Sequence, residues 1–443
     1  MIRGVRKRNN ANEFSNPKIR EHERDERKRV TMTMSKNTLL LLLITSSTQL
    51  LICFGRSVPK DSAADKYAIV FDAGSSKTKM EIYKLKMASP PLDVTDVEAL
   101  DPSPSRVEPG IASLAENPDG VELYLAPLLT AAKSVIPRGA QKSADVFFFA
   151  TAGMRLLPPD QSGAILREVE KLLSDKSKCP FTFYSKNAKI ISGTFEGIYA
   201  WISVNFLQGN LLPGGSHNTS GILDMGGASH QNAFNTPTKD TLAVKLGNYV
   251  YHLFSRSYLG YGLNEAIKRY VHEIFLENGA VNVIESPCHL QGYEEETTIN
   301  GHIVKIEGKP SVPRCRSIIN ETFFCKKPGC PFYDQPRLQG DFVGISGMFY
   351  TALDIGLLCY SCVKPLSPVM FEENSRQFCA NRYQDVSSNP YAKVDCFRGN
   401  YVYELLSQGY DLPPDKTIEV GKKMGGFSLG WTLGAMLYNG EYL

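Results

Sequence analysis

Tyr67-Ala-Ile-Val-Phe-Asp72-Ala-Gly74-Ser75-Ser76-Lys77-Thr78 opens with an apolar run, turns through Asp, Gly and hydroxyl residues, and resumes through Met80, Ile82 and Tyr83. It reads as a buried strand, a tight loop and a returning strand. The same pattern recurs as Gly221-Ile-Leu-Asp224-Met-Gly226-Gly227-Ala228-Ser229-His230-Gln231, with an extended run to Phe234. The two Asp residues stand 152 positions apart. That separation indicates two related, domain-sized units and not a short-period solenoid.

Working outward, Val146-Phe-Phe-Phe149 predicts another apolar strand, ending in Ala150-Thr151-Ala152-Gly153-Met-Arg155. Residues 163–174 predict an amphipathic helix with Ile165, Leu166, Val169, Leu172 and Leu173 on one face. A short strand over 188–191 precedes a helical run with Phe195, Ile198, Tyr199, Ile202 and Phe206 on its apolar side and Glu196 in its first turn. Strands alternating with helices predict the α/β class. Residues 211–216 read as a loop, 285–340 as turn-rich and disulfide-prone, and 428–439 as a closing small-residue helix.

The 443 residues are 42% hydrophobic and 21% charged, enough for two cores and unlike collagen, coiled coil or a multi-span membrane protein. The net charge of +3 is concentrated in a basic leader, which leaves residues 61–443 near −5. A mildly acidic body does not point to nucleic acid. Residues 39–54 form the one membrane-like run, and five polar residues interrupt it, short of the ~20 apolar residues of a spanning helix. Two readings follow: a cleaved secretory signal with a mature N-terminus near residues 54–65, or a signal anchor behind a cytosolic basic arm. Either sends the body to a secreted or luminal, oxidising environment. Nine cysteines follow Cys53, eight of them after residue 285, and histidine is scarce; this favours disulfides over zinc. Asn218-Thr-Ser and Asn320-Glu-Thr are glycosylation sequons.

An Asp at a strand end followed by Gly and hydroxyl residues suits phosphate. Gly lets the backbone approach, and successive N–H groups form an anion-binding concavity. Asp repels phosphate directly, so its role is to hold a divalent cation through water. One such loop is most often a plain hairpin turn; two facing loops make a phosphate site the better reading. A Glu in a helix's first turn ordinarily answers the helix dipole. Gly193 and Gly197 beside Glu196, and the second loop just after it, make it a candidate base for a water attacking a terminal phosphate.

Taken in order, five motifs resemble those of the apyrase family, the nucleoside triphosphate diphosphohydrolases: Phe71–Thr78, Ala150–Leu156, Gly193–Trp201 with Asn205-Phe-Leu207, Leu223–Gln231, and Gly430-Trp-Thr-Leu-Gly434. The resemblance implies two actin-like (ribonuclease H-like) lobes with a nucleotide cleft between them. Lobe I would comprise residues 61–191 plus 427–443, and lobe II residues 192–426 with a disulfide-rich insertion; residues 1–60 are the leader. It implies that Asp72 and Asp224 hold hydrated Ca²⁺ or Mg²⁺. Gly74, Ser75, Ser76, Lys77, Thr78, Thr151, Ala152, Asp224, Gly226, Gly227 and Ala228 would surround the phosphates. Glu196 would be the catalytic base, with Ser229 and Gln231 placing the water, and Tyr350 and Tyr401 would stack on the base. The implied disulfides are Cys288–Cys315, Cys325–Cys330 and Cys379–Cys396, with Cys179, Cys359 and Cys362 unassigned. Departures from the family pattern are Lys77, where cell-surface members carry His, His230 in place of a Thr, and Leu263 in place of a basic residue.

The implied activity is cation-dependent hydrolysis of terminal phosphates of nucleoside tri- or diphosphates, with no nucleic-acid partner. The alternatives are an exopolyphosphatase-like hydrolase, a kinase, or a non-hydrolytic actin-like ATP-binding protein. The secretory leader disfavours the last two.

Overall fold

The computed structural model describes residues 65–87, 94–212, 215, 218–237 and 240–443. Asp61–Leu443 forms one compact unit. The leader, with its signal or anchor over 39–54, lies outside the described residues. No helix among the described residues is long and apolar enough to cross a membrane.

The first sheet contains β1 (Lys66–Ala73), β2 (Thr78–Met87), β3 (Val94–Leu100), β4 (Arg106–Val107), β5 (Asp145–Ala150) and β6 (Thr182–Ile190), in the order β3-β2-β1-β5-β6 with β4 on β2. β2 is antiparallel to β1, whereas β5 and β6 run parallel to it. β7 (Gly221–Met225), β8 (Ser229–Asn235), β9 (Leu242–Leu246) and β10 (Tyr249–Leu259) begin the second sheet. The chain then makes a small sheet of β11 (Val283–Ser286), β12 (Glu294–Ile299) and β13 (His302–Gly308), and returns through β14 (Phe342–Ser346), β15 (Lys364–Leu366) and β16 (Ile418–Val420). The second sheet's order is β15-β16-β14-β7-β8-β10-β9, with β14 and β16 parallel to β7 and β8 antiparallel to it. In both sheets the Asp-bearing strand, β1 or β7, has antiparallel strands on one side and two successive parallel strands on the other, and the repeat read from the two Asp loops extends to that arrangement.

Both faces of the central strands are buried, which explains their nearly continuous apolar sequence. On β1, Ile69 and Phe71 join a core with the helices Val121–Val135 and Pro159–Ser174, while Ala68 and Val70 face the helices Gly193–Leu207 and Thr432–Asn439. Ile222 on β7 and Val343 on β14 reach those same two helices from the second sheet. Helix Gly193–Leu207 therefore lies between the sheets and is buried on all sides from Glu196 to Asn205. Ser203 Oγ accepts from Gly434 N at 2.7 Å, tying it to the C-terminal helix.

Several expectations change. The 163–174 helix starts earlier, at Pro159, and the 188–191 strand starts at Thr182. The closing helix is shorter, starting at Thr432. The turn-rich reading of 285–340 gives way to the small sheet and a helix, Val312–Phe323. Cys288–Cys315, Cys325–Cys330 and Cys379–Cys396 pair as the resemblance implied. Cys359 and Cys362 form a fourth bond, and Cys179 is a buried free thiol.

Candidate active site

The two Asp-Gly loops meet. A Cβ on Gly227 would lie 2.7 Å from Ser75 Oγ, so this position tolerates no side chain without a shift. The first loop is closed by Gly74 N donating to Lys77 O (3.0 Å) and the second by Gly226 N donating to Ser229 O (2.9 Å). Carbonyls of the second loop accept from the first turn of helix Leu263–Glu277: Gly226 O from Leu263 N, and Gly227 O from Asn264 N. Among the described residues the N–H groups of Ser75, Ser76, Gly227 and Ala228 have no protein acceptor. Four backbone donors without acceptors at facing loops are the kind of group that can receive an anion. Thr151 N donates to Ala73 O (3.1 Å) and seats the short helix Ala152–Arg155 beside the first loop. Thr78 is fully buried and braces that loop from beneath, its hydroxyl accepting from Tyr124 (3.0 Å). Lys77 is partly buried, and its ammonium makes no ion pair or hydrogen bond among the described residues; burial, then nearby Arg106, holds that ammonium below the usual range.

Ser192 caps helix Gly193–Leu207 by accepting from Phe195 N (3.3 Å). This sets Glu196 on the turn that faces the loops. Its Oε2 accepts from Arg155 Nη2 (2.7 Å) and Gln231 Nε2 (3.2 Å). The same amide nitrogen donates to Ser229 Oγ (2.6 Å) and Ser257 Oγ (2.9 Å), and Arg155 Nη2 also reaches Ser229 Oγ (3.1 Å). Gln231 Oε1 is buried without a hydrogen-bond partner, an acceptor open to a water proton. Glu196, Ser229 and Gln231 are thus one hydrogen-bonded cluster.

Glu196 and Asp224 both raise Asp72, and Asp224 raises Glu196. Burial first, then Glu196, Glu81 and Asp224, push Asp72 up to about 8 against the pull of Lys79. Burial and Asp224 take Glu196 to about 7 with Arg155 opposing. Burial raises Asp224 to about 6 while the Ser346 hydroxyl opposes. Crowded carboxylates of this kind are what a divalent cation relieves. Among the described residues no three Asp, Glu, His or Cys side chains gather closely enough to ligate a metal directly. Asp72 and Asp224, one on each loop-bearing strand, are the acids that would hold such a cation through water.

A scan against family models matches residues 58–442 to the GDA1/CD39 (nucleoside phosphatase) family. The chain belongs to that family. Nucleoside-triphosphatase ntp-1 of Caenorhabditis elegans is 32% identical over 429 residues, covering 88% of this chain and 76% of its own. Human nucleoside diphosphate phosphatase ENTPD5 is 30% identical, covering 85% and 88%. A crystal structure of nucleoside triphosphate hydrolases from Neospora caninum superposes with a TM-score of 0.67 at 13% identity over 96% of this chain and 98% of that one; this likeness concerns the fold. As a GDA1/CD39 nucleoside phosphatase, the chain is a divalent-cation-dependent hydrolase of nucleoside tri- and diphosphates, of the apyrase type.

Two residues expected at the site of this nucleoside phosphatase behave differently. Tyr401 is fully buried in helix Ala392–Glu404, its ring against Phe397 and Phe323 and its hydroxyl donating to Tyr261 O (2.8 Å), so it has no face for a base. Tyr350 is 41% exposed. The Asn320 sequon falls inside helix Val312–Phe323, with Asn320 half-buried; Asn218 is exposed. Two residues were missed. Arg155 stands in the second motif, but its pairing depends on the approach of helix Gly193–Leu207. Ser346, with φ +60° and ψ −122°, ends β14 one residue past Ile345, the register partner of Asp224. Its unfavourable backbone is the kind of strain that collects at functional sites.

Proposed function

We propose that the chain hydrolyses the terminal phosphate of nucleoside tri- and diphosphates in a cleft between two actin-like lobes, residues 61–191 with 427–443 and residues 192–426, with Glu196 as the base. The N–H groups and hydroxyls of Ser75 and Ser76, the backbone of Gly74, Gly226, Gly227 and Ala228, and Thr151 and Ala152 bind the phosphates. Lys77 adds the charge. Asp72 and Asp224 would hold hydrated Ca²⁺ or Mg²⁺, whose charge offsets that of the phosphate oxygens and of the acids. Gln231 Oε1 accepts a hydrogen bond from the attacking water and Glu196 takes its other proton as the water oxygen bonds to the terminal phosphorus and the bond to the leaving nucleotide's bridging oxygen breaks; Ser229 keeps Gln231 and Arg155 in place. The observation that carries this reading is Glu196, paired with Arg155 and Gln231, beside two facing loops with unused N–H donors. The disulfides and the leader support work in the secretory pathway, as a secreted or luminal protein or as an ecto-enzyme held by residues 39–54.

The test is phosphate release from nucleoside tri- and diphosphates and from polyphosphate, with and without EDTA, for wild type and Glu196→Gln. EDTA should abolish release, and Glu196→Gln should lower turnover ~10²–10⁴-fold. A Glu196→Gln protein retaining a third of wild-type turnover is incompatible with Glu196 as base. Release from polyphosphate alone would favour the exopolyphosphatase reading.

A further inference from the structure

The sixth residue after the Asp of each loop is Thr78 in the first and His230 in the second, and both are fully buried. Each meets a tyrosine hydroxyl brought by a helix. Thr78 Oγ1 lies 3.0 Å from the hydroxyl of Tyr124, on helix Val121–Val135, and His230 Nε2 lies 2.6 Å from that of Tyr410, just past helix Ala392–Glu404. The two loops are thus anchored at equivalent positions by different side chains.

His230 makes a contact that the shorter threonine of the family pattern could not, because a threonine hydroxyl sits one bond nearer the backbone than Nδ1. His230 Nδ1 lies 2.9 Å from the carbonyl oxygen of Asp224, so the side chain joins the two ends of the second loop. A carbonyl only accepts, so Nδ1 carries the proton and donates, and Nε2 accepts from Tyr410. Burial keeps the ring neutral by pushing it down to about 3, with the Asp224 carbonyl opposing. Gly226 N, donating to Ser229 O, closes the loop inside this span. Alternation along β8 sets Ser229 and Gln231 on the face with Glu196 and His230 on the opposite one. The imidazole is therefore outside the phosphate site, yet tied to the strand residue that carries its carboxylate.

The brace behind it arrives by an irregular turn. Helix Ala392–Glu404 runs into a π turn, Leu405–Gly409, with Tyr410 N donating to Leu405 O (2.9 Å). Single π turns of this kind recur at functional sites. Tyr410 meets both His230 and Phe332 edge-on, at 5.7 and 5.5 Å. Tyr258, the register partner of His230, stacks on Phe332 at 4.1 Å. Packed rings thus surround the imidazole and hold its orientation.

We propose that His230 is a positioning residue of the second phosphate loop: braced by Tyr410, it clasps the Asp224 carbonyl and fixes the Asp224 carboxylate relative to the N–H groups of Gly227 and Ala228. The proposal rests on the reading of these loops as the phosphate site, and it gives the exchange of Thr for His a function.

The experiment measures equilibrium binding of methylene diphosphonate, a non-hydrolysable anionic head, to the full chain in Mg²⁺. The amide nitrogen of Asn superposes on Nδ1 of His and that of Gln on Nε2, so His230→Asn keeps the donor to Asp224 and His230→Gln loses it, with the core disturbed in both. His230→Gln should weaken binding roughly three- to tenfold, the net worth of one hydrogen bond, and His230→Asn should stay within about twofold of wild type. Tyr410→Phe, which keeps the ring and removes the brace, should weaken binding in the same direction. Equal affinity in wild type and His230→Gln overturns the proposal. Equal losses in His230→Gln and His230→Asn also overturn it, because the ring would then only fill the core. If neither His230 variant folds, Tyr410→Phe decides: weaker diphosphonate binding sustains the clasp, and unchanged binding overturns it. A wild type that binds no diphosphonate and releases no phosphate from nucleotides would sink the phosphate-site reading, and this proposal with it.

Discussion

Replacing Arg155 with Gln removes the one cation that opposes burial at Glu196. Arg155 Nη2 lies 2.7 Å from Glu196 Oε2, and the side chains are 16% and 9% exposed. At a charge separation of about 4 Å and an effective dielectric of about 20, the attraction is ~4 kcal/mol. Partial exposure and the hydrogen bonding retained by Gln reduce this, for an upward pKa shift of ~1–3 units from the present value of about 7. A base works ionised, so a higher pKa moves the acid limb of turnover to higher pH. At pH 7 the variant should lose roughly five- to several-hundred-fold in turnover and recover towards wild type as the pH rises. Bound cation and phosphate move both proteins, so the difference between the two limbs is what is read. Glu196 can take up a proton instead of remaining an unpaired buried charge, so the fold should lose less than the ~3–5 kcal/mol of a broken buried pair. The assay is phosphate release from pH 5 to 10, with a thermal melt alongside. A uniform drop with an unmoved acid limb, or a limb moved to lower pH, refutes charge support of Glu196 by Arg155.

Asp72→Asn and Asp224→Asn should each shift activation by Ca²⁺ or Mg²⁺ to higher concentration without unfolding the protein, because each removes one of the mutually repelling charges; an unchanged activation curve in a folded variant contradicts the cation role. The cation-free protein should lose stability as pH rises. Asp72, Glu196 and Asp224 are raised to about 8, 7 and 6 from the ordinary 3.8, 4.5 and 3.8, so the folded state binds more protons than the unfolded state across roughly pH 4 to 8. Melts in EDTA should therefore give a lower Tm at pH 8 than at pH 5, a gap that Asp72→Asn narrows and added cation closes; a gap identical in wild type and Asp72→Asn would show that these acids do not set it.

What could be read ahead of the structure was chemistry carried by contiguous residues. A strand that ends in Asp, with Gly and hydroxyls after it, encodes its own turn and its own donors, so both loops were legible; the repeat pointed to two related units, and strands alternating with helices between the loops pointed to the α/β class. Glu196 was legible for a related reason: the cap and first turn of a helix are local events. Proline is no bar to a helix inside the 285–340 stretch that reads as turn-rich. In Ser311-Val312-Pro313 it stands in the first turn of a helix, where its missing N–H costs nothing.

Contacts made across the chain left no such trace. Arg155 and Glu196 are 41 positions apart and meet because helix Gly193–Leu207 is pressed between two sheets. Tyr401 follows Gly399 and Asn400, which resemble a loop in sequence, yet helix Ala392–Glu404 is covered by the helices Val312–Phe323 and Pro368–Cys379 and has few solvent-facing positions for a ligand. An aromatic residue on a helix packed from several sides goes to the core. The ring of Tyr350, by contrast, stays 41% exposed just past β14, the strand paired with the one that carries Asp224, and can meet a ligand without repacking.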